Sequence, residues 1–141
     1  MLEEVMRYAK QILEDAGLTA YYESTRKTIH VPRDAARAII RQPTATAKAE
    51  GIPFTLVVRS MRVEAVIIRG RAASRDPAGL EDCIGWLDGV FKQLKSHVGE
   101  QAGQSALYLV GVTRSDLSGR KRYGSCAMLV TLEFIGYEPV K

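Results

Sequence analysis

The sequence predicts an α+β domain, an antiparallel sheet with two helices packed on one of its faces. Three observations carry that expectation. Apolar residues recur at three- and four-residue spacing over 2–16 and again over 77–98, the period of a half-buried helix. Runs rich in Val, Ile, Thr and Tyr occupy 54–69, 106–113 and 123–137. The order is helix, strands, helix, two strands, rather than the strand–helix alternation of a parallel sheet.

The first helix is expected from about Leu2 to Ala16, with Leu2, Val5, Ala9, Ile12 and Ala16 on one side and Gly17 as its stop. Leu18 to Ser24 and Thr28 to Val31 read as short strands paired across Thr25-Arg26-Lys27. Residues 32–51 show no clear period and read as a mobile loop, with a helical turn or two at Ala35 to Arg41. Phe54 to Arg59 and Val63 to Arg69 read as a hairpin turning at Ser60-Met61-Arg62. Asp76-Pro77 is a helix start, an N-cap acceptor followed by proline at the first helical position. Leu80, Cys83, Ile84, Leu87, Val90, Phe91, Leu94 and Val98 then hold one face until Gly99. A strand over Ala106 to Thr113, a polar loop over 114–122 and a last strand over Tyr123 to Tyr137 complete a single domain of residues 1–141. In the last strand Cys126, Met128, Val130, Leu132 and Phe134 share one side.

With 141 residues and 46% apolar content the chain can build its own core, which argues against disordered and fibrous classes. No apolar run approaches the roughly 20 residues of a membrane-spanning helix. The acidic start Met1-Leu2-Glu3-Glu4 is unlike a signal peptide, so cytoplasmic synthesis is expected. Cys83 and Cys126 each sit in an apolar pattern, and a structural disulfide or a zinc site is not expected of them. Both histidines lack a Cys or carboxylate at ligand spacing, and His97 reads as a cation favoured at a helix C-terminus. No nucleophile elbow, phosphate loop or zinc-protease motif occurs, so the expectation is a protein without catalytic, cofactor or metal residues.

Charge is the better lead. The net value is +4, yet the two predicted helical segments carry −2 (1–16) and −3 (76–104), while 51–75 carries +4. Arg59, Arg62, Arg69, Arg71 and Arg75 form a basic strand surface that could meet phosphates or an acidic neighbour. In the second helix Gly85 and Gly89 stand one turn apart, each costing about 0.5–1 kcal/mol relative to Ala. With Trp86 at the margin of the apolar stripe, they mark a candidate subunit interface. Arg114, Asp116, Arg120, Lys121 and Arg122 mark a second one, in the polar loop.

The layout as a whole resembles the tail terminator proteins of long-tailed bacteriophages, also called minor capsid or tail completion proteins. The residues that carry the resemblance are the helix running into a strand over Leu2 to Ser24, Val66-Ile67-Ile68-Arg69-Gly70-Arg71, and Asp76-Pro77 opening a helix with a Trp86/Leu87/Phe91/Leu94 pattern. Gly119-Arg120-Lys121-Arg122-Tyr123, leading into Ser125 to Phe134, completes the set, and Gly51-Ile52-Pro53 occupies a similar place. The alanine-rich stretch Ala35 to Ala49 departs from that pattern. The resemblance implies a homo-oligomer, a hexameric ring, seated on the head-proximal end of the tail in the virion. Its implied partners are the tail tube protein and the head–tail connector protein, with non-specific DNA contact during passage and no membrane. Opposite charges on different elements suit the head-to-tail contacts that a ring requires. Other readings of the same residues are a tube or connector subunit, a nucleic-acid-binding module using the 59–75 arginines, and an enzyme of unrecognised type.

Overall fold

A computed structural model describes residues 2–23, 36–50, 56–69, 77–102, 106–117 and 126–139. Helix α1 spans Leu2–Asp15 and is followed by strands β1 (Thr19–Tyr22), β2 (Ala36–Ile40), β3 (Thr44–Glu50) and β4 (Leu56–Arg69). Helix α2 spans Pro77–Lys95 and precedes β5 (Leu107–Asp116) and β6 (Ala127–Pro139). Among the described residues the six strands form one sheet of order β1-β2-β4-β6-β5, with β3 also on β4. All pairings are antiparallel except β1 with β2. The α+β expectation is therefore met, with both helices on one side of a mostly antiparallel sheet.

Helix α1 buries Val5, Ala9, Ile12 and Leu13, residues one helical turn apart or adjacent across it. It stops in a left-handed residue, Gly17 at φ 89°. Gly17 N donates to Glu14 O at 2.9 Å and Leu18 N to Leu13 O at 3.2 Å, the paired bonds that satisfy a helix's last carbonyls. Helix α2 begins at Pro77, in keeping with the start signal in the sequence; Asp76 lies outside the described residues. Cys83, Leu87, Val90 and Leu94 are its buried line. Ile84 and Val98 were expected on that line, but they are 50% and 43% exposed. The buried line therefore runs one residue to the side of Ile84, through Cys83.

The sheet's helix-facing side carries the core: Ala38 and Ile40 from β2, Met61 to Ile67 at alternate positions of β4, Leu107 and Leu109 from β5, and Met128 to Phe134 at alternate positions of β6. The opposite side has a smaller cluster, with Val66, Leu117 and Ala127 buried beside Ile39, Ile68 and Leu129.

Several expectations are corrected. Residues 36–40 and 44–50, read as helical turn and mobile loop, are strands laid end to end along β4. Alanine favours helix in isolation, but Ala38 and Ile40 alternate into the core, and pairing with β4 overrides the local preference. The expected hairpin at Ser60-Met61-Arg62 is uninterrupted strand: that tripeptide contains no Gly, Pro, Asn or Asp to reverse the chain, and Met61 is buried. Arg114, Ser115 and Asp116 belong to β5, not to a loop. β1 pairs parallel with β2, whereas its expected partner at Thr28 to Val31 lies outside the described residues. Cys83 and Cys126 form a disulfide, with Cα atoms 5.8 Å apart. The apolar periodicity that made each look like a plain core residue is what sets them face to face between α2 and the start of β6.

Candidate interaction surfaces

Gly85 and Gly89 both lie on the exposed side of α2, and a Cβ built on either would meet nothing within 4 Å. No contact among the described residues demands glycine there. Ile84, Asp88 and Lys92 share this exposed side of the helix. Trp86 is half-buried against the core, and the Arg69 guanidinium stands 5.5 Å from its ring centre. Trp86 is thus only partly covered by its own chain, as its place at the margin of the apolar stripe predicts.

The arginines of β4 do not gather into one patch. Side chains alternate along a strand, so Arg59 and Arg69 fall on one side and Arg62 on the other. Arg59 and Arg69 are also separated by ten positions, about 33 Å of strand. Each has a partner. Arg59 Nε bonds Glu138 Oε2 at 3.0 Å and Arg62 Nη2 bonds Glu133 Oε1 at 3.3 Å, both across the β4–β6 pair. Arg114 Nη2 bonds Asp88 Oδ1 of α2 at 2.6 Å, and its guanidinium lies 5.2 Å from the Phe91 ring centre. Arg114 therefore pins α2 to β5. Asp116 ends β5 opposite Met128. Arg71, Arg75, Arg120, Lys121 and Arg122 lie outside the described residues.

One polar cluster had not been read from the sequence. Tyr8 Oη donates to Glu100 Oε2 at 3.0 Å, and His97 Nδ1 reaches the same oxygen at 2.8 Å. Tyr8 also packs edge-on against His97 and Phe134, with ring centres 6.5 and 5.9 Å away. Burial, then the bond to Glu100 and its charge, push the Tyr8 hydroxyl well above its usual range. The hydrogen bonds from His97 and Tyr8 hold the Glu100 carboxyl below its usual range. The expectation that His97 lacks a carboxylate at ligand spacing is corrected here: Glu100, three residues on, is its partner, while Tyr8 comes from a helix 92 positions away. The cluster ties α1 to the turn after α2.

The side of the sheet opposite the helices holds an open depression of about 470 Å³, lined in part by Thr44, Thr46, Ser60, Arg62, Glu133 and Ile135. Glu133 sits close over Gly111, where an added Cβ would come within 3.3 Å of its Oε2. Among the described residues no group of His, Cys, Asp and Glu side chains could hold a metal ion. None of the described helices is long and apolar enough to cross a membrane. The sequence matches no family model and no curated protein.

Proposed function

We propose that the protein is a structural virion subunit similar to phage tail terminators, assembling as a ring that closes the tail tube and joins it to the head connector. The observation that carries this reading is an arm of sheet that reaches past the core. β4 and β6 stay paired from Ile68 opposite Ala127 to Leu56 opposite Pro139. Core residues, however, begin only at Met61 on β4 and end at Phe134 on β6. The outer part of these strands, flanked by β3, leaves Thr44 to Lys48 and Tyr137 exposed. Strands that run on past the core in this way offer their edge and faces to a further contact. Among the described residues both helices lie on one side of the sheet, and the partly buried Ile39, Ile68 and Leu129 on the other side support a role in contact with other chains.

The nucleic-acid reading is less well supported, because Arg59 and Arg62 face carboxylates and Arg69 faces an indole. Light scattering and negative-stain imaging of the purified chain test the proposal, followed by its addition to polymerising tail tube protein. A closed ring and shortened tubes are expected. A chain that stays monomeric up to roughly millimolar concentration, and leaves tube length unchanged, overturns it.

A further inference from the structure

We propose that the sheet continues from one copy of this chain into the next, joining the outer edge of β3 to the outer edge of β5 beyond its bulge. The inference rests on the self-assembly reading above and assigns its surface. β3 pairs with β4, and β5 pairs with β6, so among the described residues each leaves one edge open, on opposite margins of the sheet. An open edge offers a row of unpaired N–H and C=O groups, which natural sheets blunt with bulges, charges, proline or a covering segment.

Half of β5 is covered in this way. Gly99 N donates to Leu109 O at 2.7 Å, Leu109 N to Glu100 O at 3.2 Å and Ala102 N to Leu107 O at 2.7 Å. The cover stops where the register shifts between Leu109 and Gly111, which leaves Gly111 to Ser115 with an open edge among the described residues. β3 has no bulge, its pairing with β4 running without a shift, and Thr44 to Ala47 are all small and exposed. Main-chain pairing to an added strand supplies affinity at such an edge, and alternate side chains supply selectivity.

Side-chain bulk favours β5 as the partner. Val112 and Arg114 point to the helix side, opposite Leu132 and Val130, while Gly111, Thr113 and Ser115 point to the other side. Laid beside β3 with the helix-free sides of the two described sheets continuous, Thr113 and Ser115 stand next to Thr44 and Thr46, hydroxyl neighbours that stabilise a strand pair. Ala45 and Ala47 then leave room for Val112 and Arg114. Pairing of β3 with a second β3 sets alanine against alanine and buries less.

Cysteine pairs on the side opposite the helices test this in the full chain, with the native Cys83–Cys126 bond left in place. Thr46→Cys protein is mixed with Thr113→Cys protein under a mild oxidant, and Thr44→Cys with Ser115→Cys covers the neighbouring register. A covalent dimer is expected in a mixture, and a ladder of higher species when both cysteines are in one chain. Either variant alone is expected to stay uncrosslinked. Far-UV circular dichroism matching the parent establishes that each variant is folded. A dimer from Thr46→Cys alone overturns the assignment in favour of β3–β3 pairing. No crosslink in any pair, from a parent that scattering shows to be assembled, overturns this edge contact while self-assembly stands. A parent that is monomeric up to roughly millimolar concentration removes both.

Discussion

Reducing the Cys83–Cys126 bond is expected to lower stability by about 4 kcal/mol. The bond links residues 43 positions apart and fastens α2 to the residue that precedes β6. In the chain-entropy account, closing a loop of about 44 residues removes about 13 cal/mol/K from the unfolded chain, or about 4 kcal/mol at 25 °C. With a urea slope of about 2 kcal/mol/M, the unfolding midpoint should fall by about 2 M when reductant is added. The chain has only these two cysteines, so no other covalent change confuses the comparison. Thiol titration supplies the control: unfolded without reductant the protein should show no reactive thiol, and after reduction two. Both side chains are buried, so even the reduced native protein should label slowly. Coincident urea curves with and without reductant, or two reactive thiols in unreduced unfolded chain, would refute the reasoning.

Leu94 is fully buried and Ile84 is half exposed, so Leu94→Ala should cost about 2–5 kcal/mol and Ile84→Ser less than about 0.5 kcal/mol in urea unfolding. Gly89→Arg should stabilise the monomer by about 0.5–1 kcal/mol, because the added side chain meets open space. The same variant should weaken assembly if α2 faces a neighbour, read as mass by light scattering. Glu100 titrates below its usual range in the folded chain, so its contribution is present above the unfolded value and lost as pH falls through the folded one. Glu100→Gln should therefore flatten the acid limb of stability against pH. Tyr8 titrates above its usual 10.0, so its contribution holds below that pH and is lost as pH rises beyond it; Tyr8→Phe should remove the alkaline loss.

The elements legible in the sequence were those whose period and end signals agreed. α1 has a regular apolar spacing and Gly17 at its end, and α2 has Pro77 at its first position. β6 alternates cleanly from Met128 to Phe134, and the structure buries that alternation. β2 and β3 were hidden because the alanines of both and the threonines of β3 carry too little apolar contrast to reveal a period of two; pairing with neighbouring strands, β1 and β4 for β2 and β4 for β3, makes them strands. The continuity of β4 was missed where polar Ser60 and Arg62 flank Met61, although that alternation is itself a strand signal. Partners distant in sequence were the least legible part of the candidate surfaces. Arg59 with Glu138, Arg114 with Asp88 and Tyr8 with Glu100 meet only because the sheet and helices bring them together.

Those pairings also change what the uneven charge along the chain does. The positive 51–75 segment and the negative helical segments suggested attraction between neighbouring subunits, but part of that attraction is satisfied within one chain. β6 supplies Glu138 and Glu133 to β4, and α2 supplies Asp88 to Arg114 of β5. The β3 edge proposed above for contact between copies offers, over Thr44 to Ala47, main chain and small side chains. Contacts of that kind respond weakly to ionic strength, whereas exposed charge pairs beyond about 10 Å are largely screened at about 0.1 M salt. The concentration at which the chain assembles should accordingly change by less than about threefold between roughly 0.05 and 0.5 M salt. Sedimentation across that range decides it. A steep loss of assembly with salt would instead assign the contact to charged side chains, with Arg120, Lys121 and Arg122 the first to replace by serine.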